Sequence, residues 1–238
     1  SGASNILKEF ESIFENADQK VKPSYDFLRG KIAQNNKDFQ SAYDLFISLK
    51  EVVSIKVKVE EQLYLLSNDI VNSAIDDNGS GDFKSSSEKL YLAYLIDPEM
   101  NQNYLYFAAS SAVNAELFEV SLDYYNQLKD LNIKVCVDDF GTGYSSLSYL
   151  HTFPIDTLKI DRSFVHDMSR NFRNMEIIRT IIMLAHNLKL DVIAEGVETG
   201  EQDAQLSALG CQFAQGFYFS RPINSSDAAL LIQQNHQW

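Results

Sequence analysis

Apolar residues in the first 131 positions recur at steps of three and four residues, the spacing of helices that bury one face. This pattern predicts helices near 4–19, 23–36, 38–50, 57–77, 83–96, 101–113 and 116–131. Two breaks between these helices contain residues typical of turns. The polar run Asp76–Gly81 is not expected to continue a helix, and Asp97-Pro98 is expected to end the helix 83–96. The first half of the chain is therefore expected to be all helical.

Small and aromatic residues recur along these helices at a regular spacing. One set is Gly30, Ala33, Phe39, Ala42 and Phe46, and similar sets begin at Ala74 and Ala108. Small residues let paired helices approach, and the aromatic ring fills the gap between them. The series resembles about three degenerate tetratricopeptide repeats over residues 23–131. An unrelated helical bundle is the alternative, because the usual early Trp and the Gly-Tyr pairing are missing.

Stacked helix pairs form a concave groove, so the repeat resemblance implies a scaffold that binds a protein partner. The identity of that partner is unknown from the sequence.

From Ile133 onward, apolar runs of strand length alternate with helical segments, which favours parallel strands joined by helices. The runs are Ile133–Val137, Thr157–Ile160, Asp191–Ala194 and Cys211–Ala214. Each ends in polar residues: Asp138-Asp139, Lys159 with Asp161, Glu195, and Gln215. In a barrel of alternating strands and helices, the carboxyl ends of the strands form one rim. We therefore expect these side chains to lie close together.

Charge and composition narrow the classes of partner. The chain has 33 acidic and 20 basic residues, and its net charge of −13 opposes contact with a nucleic acid polymer. No run approaches the ~20 apolar residues of a membrane span, and no charged start followed by an apolar run predicts a signal peptide. Cys136 and Cys211 lie in apolar stretches, which indicates buried thiols in a reducing compartment, the cytoplasm.

The polar set at the strand ends has the chemistry of a cation site for a phosphate ester. Carboxylates such as Asp138, Asp139 and Glu195 are the hard oxygen donors that Mg²⁺, Mn²⁺ or Ca²⁺ prefer. Gln215 can hold a water or a phosphate oxygen, and Lys159 could orient or deprotonate a water if cations surround it. Each residue taken singly has a simpler interpretation, as a solvated lysine or an Asp-Asp turn. The hypothesis depends on all of them together.

Four segments, 138–147, 158–161, 194–199 and 215–222, closely resemble the EAL family of cyclic di-GMP phosphodiesterases, and the resemblance covers about residues 131–238. It implies that cyclic di-GMP is the ligand and that Mg²⁺ or Mn²⁺ is the cofactor. By the same resemblance Asp138, Asp139 and Glu195 are metal ligands, Lys159 is the base that activates water, and Asp161 lies near it. Gln215 resembles the residue that holds a metal-bound water. Glu198 resembles the carboxylate that pins the loop 138–146 through a hydroxyl such as Thr142, and this loop contributes to dimerisation in the family.

The sequence also departs from the family. The family uses an eight-stranded barrel, whereas this chain matches only its last four strands. The tripeptide Glu-Ala-Leu is absent, and no acidic residue lies between Glu99 and Glu116. With these donors missing, we expect hydrolysis by the isolated chain to be impaired. The alternative function is a non-catalytic interaction scaffold built on the helical repeats.

The expected fold class is therefore α plus α/β. A helical repeat domain, residues 1–131, is joined to a four-stranded parallel half of a TIM (β/α) barrel, residues 132–238. The join fits a natural truncation, an engineered fusion or a composite sequence. Four strands of a barrel leave two edges and an inner face open, and the repeat helices or a second chain must cover them if the half-barrel is to be well ordered.

Overall fold

The computed structural model describes residues 21–142 and 147–233, and the chain divides into two compact units, Ser1–Leu128 and Lys129–Trp238. The predicted helix 4–19 lies outside the described residues. In the first unit the helices are α1 (Lys22–Asn35), α2 (Phe39–Leu49), α3 (Lys56–Ser80), α4 (Phe83–Ile96), α5 (Gln102–Asn114) and α6 (Phe118–Asp130). The helical character predicted for this half is confirmed, including the end of α4 directly before Asp97.

The predicted break at Asp76–Gly81 is wrong. Helix α3 continues through it to Ser80, and Gly81 ends the helix with a left-handed φ of 85°. Polar residues in the last turn of a helix reduce its stability only slightly. Asp77 also forms an ion pair with α4, because Lys89 Nζ donates to Asp77 Oδ2 at 2.5 Å. Only the residue that adopts the left-handed conformation stops the helix.

Successive helices of the first unit pack against one another, α1 on α2, α3 on α4 and α4 on α5. Gly30 of α1 faces Phe46 of α2 so closely that a Cβ would overlap the ring, and Phe46 is fully buried. This contact is the pairing of a small residue with an aromatic one on which the repeat interpretation depends. The tetratricopeptide resemblance itself stays a prediction.

The second unit contains β1 (Cys136–Phe140), α7 (Leu147–Thr152), β2 (Thr157–Ile160), α8 (Arg162–His166), α9 (Phe172–Leu188), β3 (Asp191–Glu195), α10 (Gly200–Ala208), β4 (Phe213–Gln215) and α11 (Ser225–Gln233). All four strands are parallel and lie in the order β1-β2-β3-β4. The predicted parallel sheet is confirmed, and the half-barrel stays a prediction. Strands β1 and β4 begin later in the sequence than predicted. Asp138 and Asp139 therefore lie inside β1 rather than after it.

One face of this sheet is covered by helices. Leu158 and Ile160 of β2 and Val192 and Ala194 of β3 are fully buried in a core that includes Ile178 and Ile182 of α9. Side chains alternate between the two faces of a strand. Lys159 and Glu195 therefore lie on the other face, which we call the open face.

Among the residues that the structure describes, no helix is long and apolar enough to cross a membrane. Both cysteines are free, and each is half-buried, whereas the sequence predicted buried thiols. Burial is the main reason why the pKa of both thiols is raised.

Candidate functional site

Polar side chains from four neighbouring strands meet at the carboxyl ends of those strands. Lys159 Nζ on β2 donates to Asp138 Oδ1 on β1 at 2.6 Å and forms a second ion pair with Glu195 on β3. Gln215 Nε2 on β4 donates to Glu195 Oε1 at 2.7 Å. The structure thus places these side chains in one continuous row, which we call the rim.

A β-bulge brings a further carboxylate to the rim. The pairing of β1 with β2 shifts between Val137 and Phe140, and Asp139 has a left-handed φ of 50°. In a regular strand Asp138 and Asp139 would point to opposite faces. Instead, carboxylate oxygens of Asp138, Asp139 and Glu195 all lie within 4.8 Å of one another. We call these residues the carboxylate cluster.

The cluster concentrates negative charge around the Lys159 ammonium. Desolvation and the neighbouring Asp138 raise the pKa of Asp139. Partial burial acts to lower the pKa of Lys159, but its hydrogen bonds to Asp138 and Glu195 outweigh this effect and raise the pKa well above its usual value. Lys159 is therefore protonated at neutral pH in this arrangement, and the predicted role as a base requires cations to take over its carboxylate partners.

Asp161 begins helix α8 next to the rim. Its Oδ1 accepts from Ser163 N at 2.9 Å and from the Ser163 hydroxyl, and these hydrogen bonds hold its pKa below the usual value. Its charge is one of the smaller causes that raise the pKa of Asp139. The structure thus places Asp161 near the cluster, as the N-cap of α8.

Glu198 contacts a residue that the sequence analysis did not single out. Arg162 Nη2 donates to Glu198 Oε1 at 2.9 Å, and the Arg162 side chain crosses Gly196 where any Cβ would overlap it. The hydroxyl of Thr142 donates instead to the backbone oxygen of Asp139 at 2.9 Å. The predicted role of Glu198 in pinning the loop stays a prediction, and residues 143–146 lie outside the described part of the chain.

A cavity of about 650 Å³ opens beside the rim. Its polar side includes Glu195, Gln215, Arg162 and Arg221, and its apolar side includes Phe217, Pro222, Ile223, Leu231 and Ile232. The Arg221 guanidinium lies 4.7 Å from the centre of the Phe217 ring. Guanidinium groups next to an aromatic and aliphatic wall suit a ligand that has both anionic and aromatic parts. The sequence predictions considered only residues at the ends of strands and so included neither arginine. Arg162 lies in α8, and Arg221 lies in the loop after β4.

Comparisons with known proteins assign this region to a family. A family model described as the EAL domain matches residues 104–222, so the match begins in α5 rather than near residue 131 as predicted. Cyclic di-GMP phosphodiesterase NbdA of Pseudomonas aeruginosa is 50% identical over 97 residues, which are 41% of this chain and 12% of that protein. Signaling protein YkoW of Bacillus subtilis is 51% identical over 98 residues, again 41% of this chain and 12% of that protein. The chain therefore matches only a small part of these curated relatives.

Solved structures agree with this assignment. The crystal structure of the EAL domain of Mycobacterium smegmatis DcpA is similar with a TM-score of 0.50 and 34% identity, and the alignment covers 57% of this chain and 68% of that domain. The EAL enzyme Bd1971 in its cGMP-bound form has a TM-score of 0.50 and 25% identity, over 80% of this chain and 55% of that one.

Proposed function

We propose, on the premise that the chain belongs to the EAL domain family, that residues 129–238 bind cyclic di-GMP at the rim and hydrolyse it with a divalent cation. The observation that carries the proposal is the convergence of Asp138, Asp139 and Glu195 within 4.8 Å, with Lys159 paired to two of them. One of the relatives that match this segment is named a cyclic di-GMP phosphodiesterase.

The donor set fits a divalent cation such as Mg²⁺ or Mn²⁺. Asp138, Asp139 and Glu195 would hold it, because hard carboxylate oxygens are the ligands that these ions prefer. The cluster already attracts one positive charge, the Lys159 ammonium. When bound, such a cation supplies an acidified water and neutralises charge on the phosphoryl oxygens.

The chain's own side chains would then bind and orient the substrate. Arg162 and Arg221 place positive charge in the cavity for the phosphates, and Phe217 offers an aromatic face to a purine base. Gln215 orients the Glu195 carboxylate through its hydrogen bond. Lys159 would hold the water that adds across one P–O bond, so that the ring opens to a linear dinucleotide.

Turnover by the isolated chain is expected to be slow. The carboxylate cluster supplies three residues, whereas ions of this class take six or more oxygen ligands. Three carboxylates alone would hold such an ion weakly and a second ion more weakly still.

The test is hydrolysis of cyclic di-GMP by the full chain with Mn²⁺, followed by chromatography of the linear product. We expect slow, Mn²⁺-dependent product formation that falls at least tenfold in Lys159→Ala. Lys134→Ala is the matched control, because Lys134 lies before β1 at the opposite end of the sheet and is 73% exposed. Product formation equal in the wild type and Lys159→Ala, or absent from both together with no binding of cyclic di-GMP, would refute the proposal.

A further inference from the structure

The helical first unit has a cavity of its own, with a volume of about 360 Å³. Helix α3, the start of α5 and the segment between α4 and α5 line it. Its floor belongs to the core of the unit, because Leu63 and Ile96 are only 3% and 6% exposed. A volume of this size can hold a small ligand or a side chain of a partner. The proposed hydrolysis uses none of the residues that line this cavity.

Large apolar side chains surround the opening of the cavity. Met100 is 81% exposed and Tyr64 is 69% exposed. Tyr104 lies beside them, half-buried, with one side packed on the core of the unit. Single exposed apolar residues are common, but three of them around one cavity form a patch, and such patches mark binding sites. Two of the three are aromatic rings, which suit a ligand with a flat or cationic group.

A hydroxyl group in the cavity has no partner within the described residues. Ser67 lines the cavity from α3 and is 7% exposed, and its side chain forms no hydrogen bond with the described part of the chain. The oxygen itself is not sealed from solvent, and the cavity is the open space that Ser67 lines. A nearly buried polar group without a partner reduces stability. Ser67 is therefore available to hydrogen-bond a ligand.

Carboxylates dominate the charge around the cavity. Glu60 and Asp97 line it, and neither forms an ion pair with another described residue. Among the described lining residues, Lys50 carries the one positive charge. Asp97 Oδ1 accepts from Met100 N at 3.2 Å, which holds this carboxylate at the opening. Residues 21–128 contain 16 acidic and 9 basic side chains, so the surrounding charge also favours a cation.

We propose that this cavity binds an arginine side chain of a partner protein, in a peptide segment with apolar residues next to the arginine. A guanidinium group is planar, pairs with carboxylates and stacks on aromatic rings. Glu60 and Asp97 supply the carboxylates, and Tyr64 and Tyr104 supply the rings. The Ser67 hydroxyl accepts a hydrogen bond from the bound segment. An acidic segment would face two carboxylates and is disfavoured.

The test is a nuclear magnetic resonance titration of the full chain without nucleotide or metal, so that its outcome is independent of the proposed hydrolysis. The probe is the acetylated and amidated peptide Leu-Arg-Leu. The same peptide with citrulline in place of arginine has nearly the same shape and no charge. We expect saturable shifts of the Asn68 and Asn101 backbone amides, which lie at the cavity, and a dissociation constant at least tenfold lower for the arginine peptide. The peptide Leu-Glu-Leu should not bind.

Removal of the two carboxylate charges tests the residues assigned. Glu60→Gln combined with Asp97→Asn should raise the dissociation constant of the arginine peptide at least tenfold and abolish its advantage over the citrulline peptide. The asparagine oxygen can still accept from Met100 N, so the local fold is kept. Glu61→Gln is the matched control, because Glu61 is the next residue of α3 and is exposed but does not line the cavity. It should bind as the wild type does.

Four results would overturn the proposal. They are no shift at the cavity up to the solubility limit of the arginine peptide, shifts confined to the second unit, equal or tighter binding of the citrulline or glutamate peptide, and an equal loss of affinity in Glu61→Gln and the double variant. The last result would mean that general charge attraction, rather than the cavity, binds the peptide. Unchanged amide spectra away from the cavity verify that each variant is folded.

Discussion

At the scale of single residues, Gly216 is a position where a side chain would overlap backbone atoms rather than a side chain that can move. A Cβ there would overlap the backbone oxygen of Val197, which accepts from Tyr218 N at 3.0 Å. Val197 N in turn donates to Gln215 O at 3.1 Å, so this turn fixes the end of β4 and the rim residue on it. Gly216→Ala should therefore lower the free energy of unfolding by about 1–3 kcal/mol, measured by urea denaturation.

Gly79 provides the matched control. It lies in the last turn of α3, and a Cβ there would meet no atom within 4 Å. Gly79→Ala should leave the free energy of unfolding unchanged or raise it by up to about 1 kcal/mol, because alanine is the better helix former. Equal stability of Gly216→Ala and the wild type would contradict the close packing at Val197.

The buried tyrosine Tyr124 gives the first unit a pH dependence at high pH. Burial, with a smaller effect of the adjacent Tyr91, raises its pKa to about 12. A tyrosine in the unfolded chain ionises near pH 10, whereas folded Tyr124 ionises only near pH 12. Between these values ionisation stabilises only the unfolded state, so the free energy of unfolding falls as the pH rises from about 10 to 12. Burial also raises the pKa of Tyr125 to about 12, so Tyr124→Phe should reduce this fall in urea midpoints without removing it. The exposed variant Tyr64→Phe should follow the wild type, and identical slopes for wild type and Tyr124→Phe would count against the assignment.

At the scale of elements, Gln202 connects α10 to the end of α8. Its Nε2 donates to Val165 O at 3.1 Å, and its Oε1 accepts from Glu198 N at 2.8 Å and from Thr199 N at 3.0 Å. The side chain is 6% exposed, so water cannot replace these hydrogen bonds. Gln202→Ala should reduce stability by about 1–3 kcal/mol, because it leaves buried polar groups without partners.

Gln205, three residues along the same helix, is the control for that prediction. It accepts from Ser169 Oγ at 3.0 Å in a solvent-exposed contact, and Gln205→Ala should change stability by less than about 0.5 kcal/mol. Thermal melts of both variants make the comparison. Equal losses of stability in the two variants would mean that the hydrogen bonds of Gln202 do not stabilise the packing of α10 against α8.

The sequence predicted the elements better than the details of the site. Parallel strands end at one edge, so the meeting of Asp138, Lys159, Glu195 and Gln215 follows once the four strands are recognised. The bulge at Asp139 was not predicted, because a left-handed φ at a non-glycine residue depends on its tertiary surroundings. Arg221 was missed for a similar reason, since it reaches the cavity through the fold of a loop.

At the scale of the whole molecule, the family match crosses the boundary between the two units. It begins at residue 104 in α5, whereas the second compact unit begins at Lys129. Helices α5 and α6 therefore belong to the matched region although they pack within the helical unit. The predicted start near residue 131 was too late, because α5 and α6 share the helical spacing of the residues before them and lack the strand-end motifs that identified the family.

The central claim is that the carboxylate cluster binds a divalent cation, and electron paramagnetic resonance of Mn²⁺ tests it most directly, because bound Mn²⁺ loses the signal of the free ion. The wild type should remove that signal in a saturable manner, and Glu195→Gln should abolish the loss. Asp191→Asn makes the same change of charge at the other end of β3, where Asp191 pairs with Lys134, and it should bind Mn²⁺ as the wild type does. A wild-type protein that leaves as much free Mn²⁺ as Glu195→Gln would contradict the account.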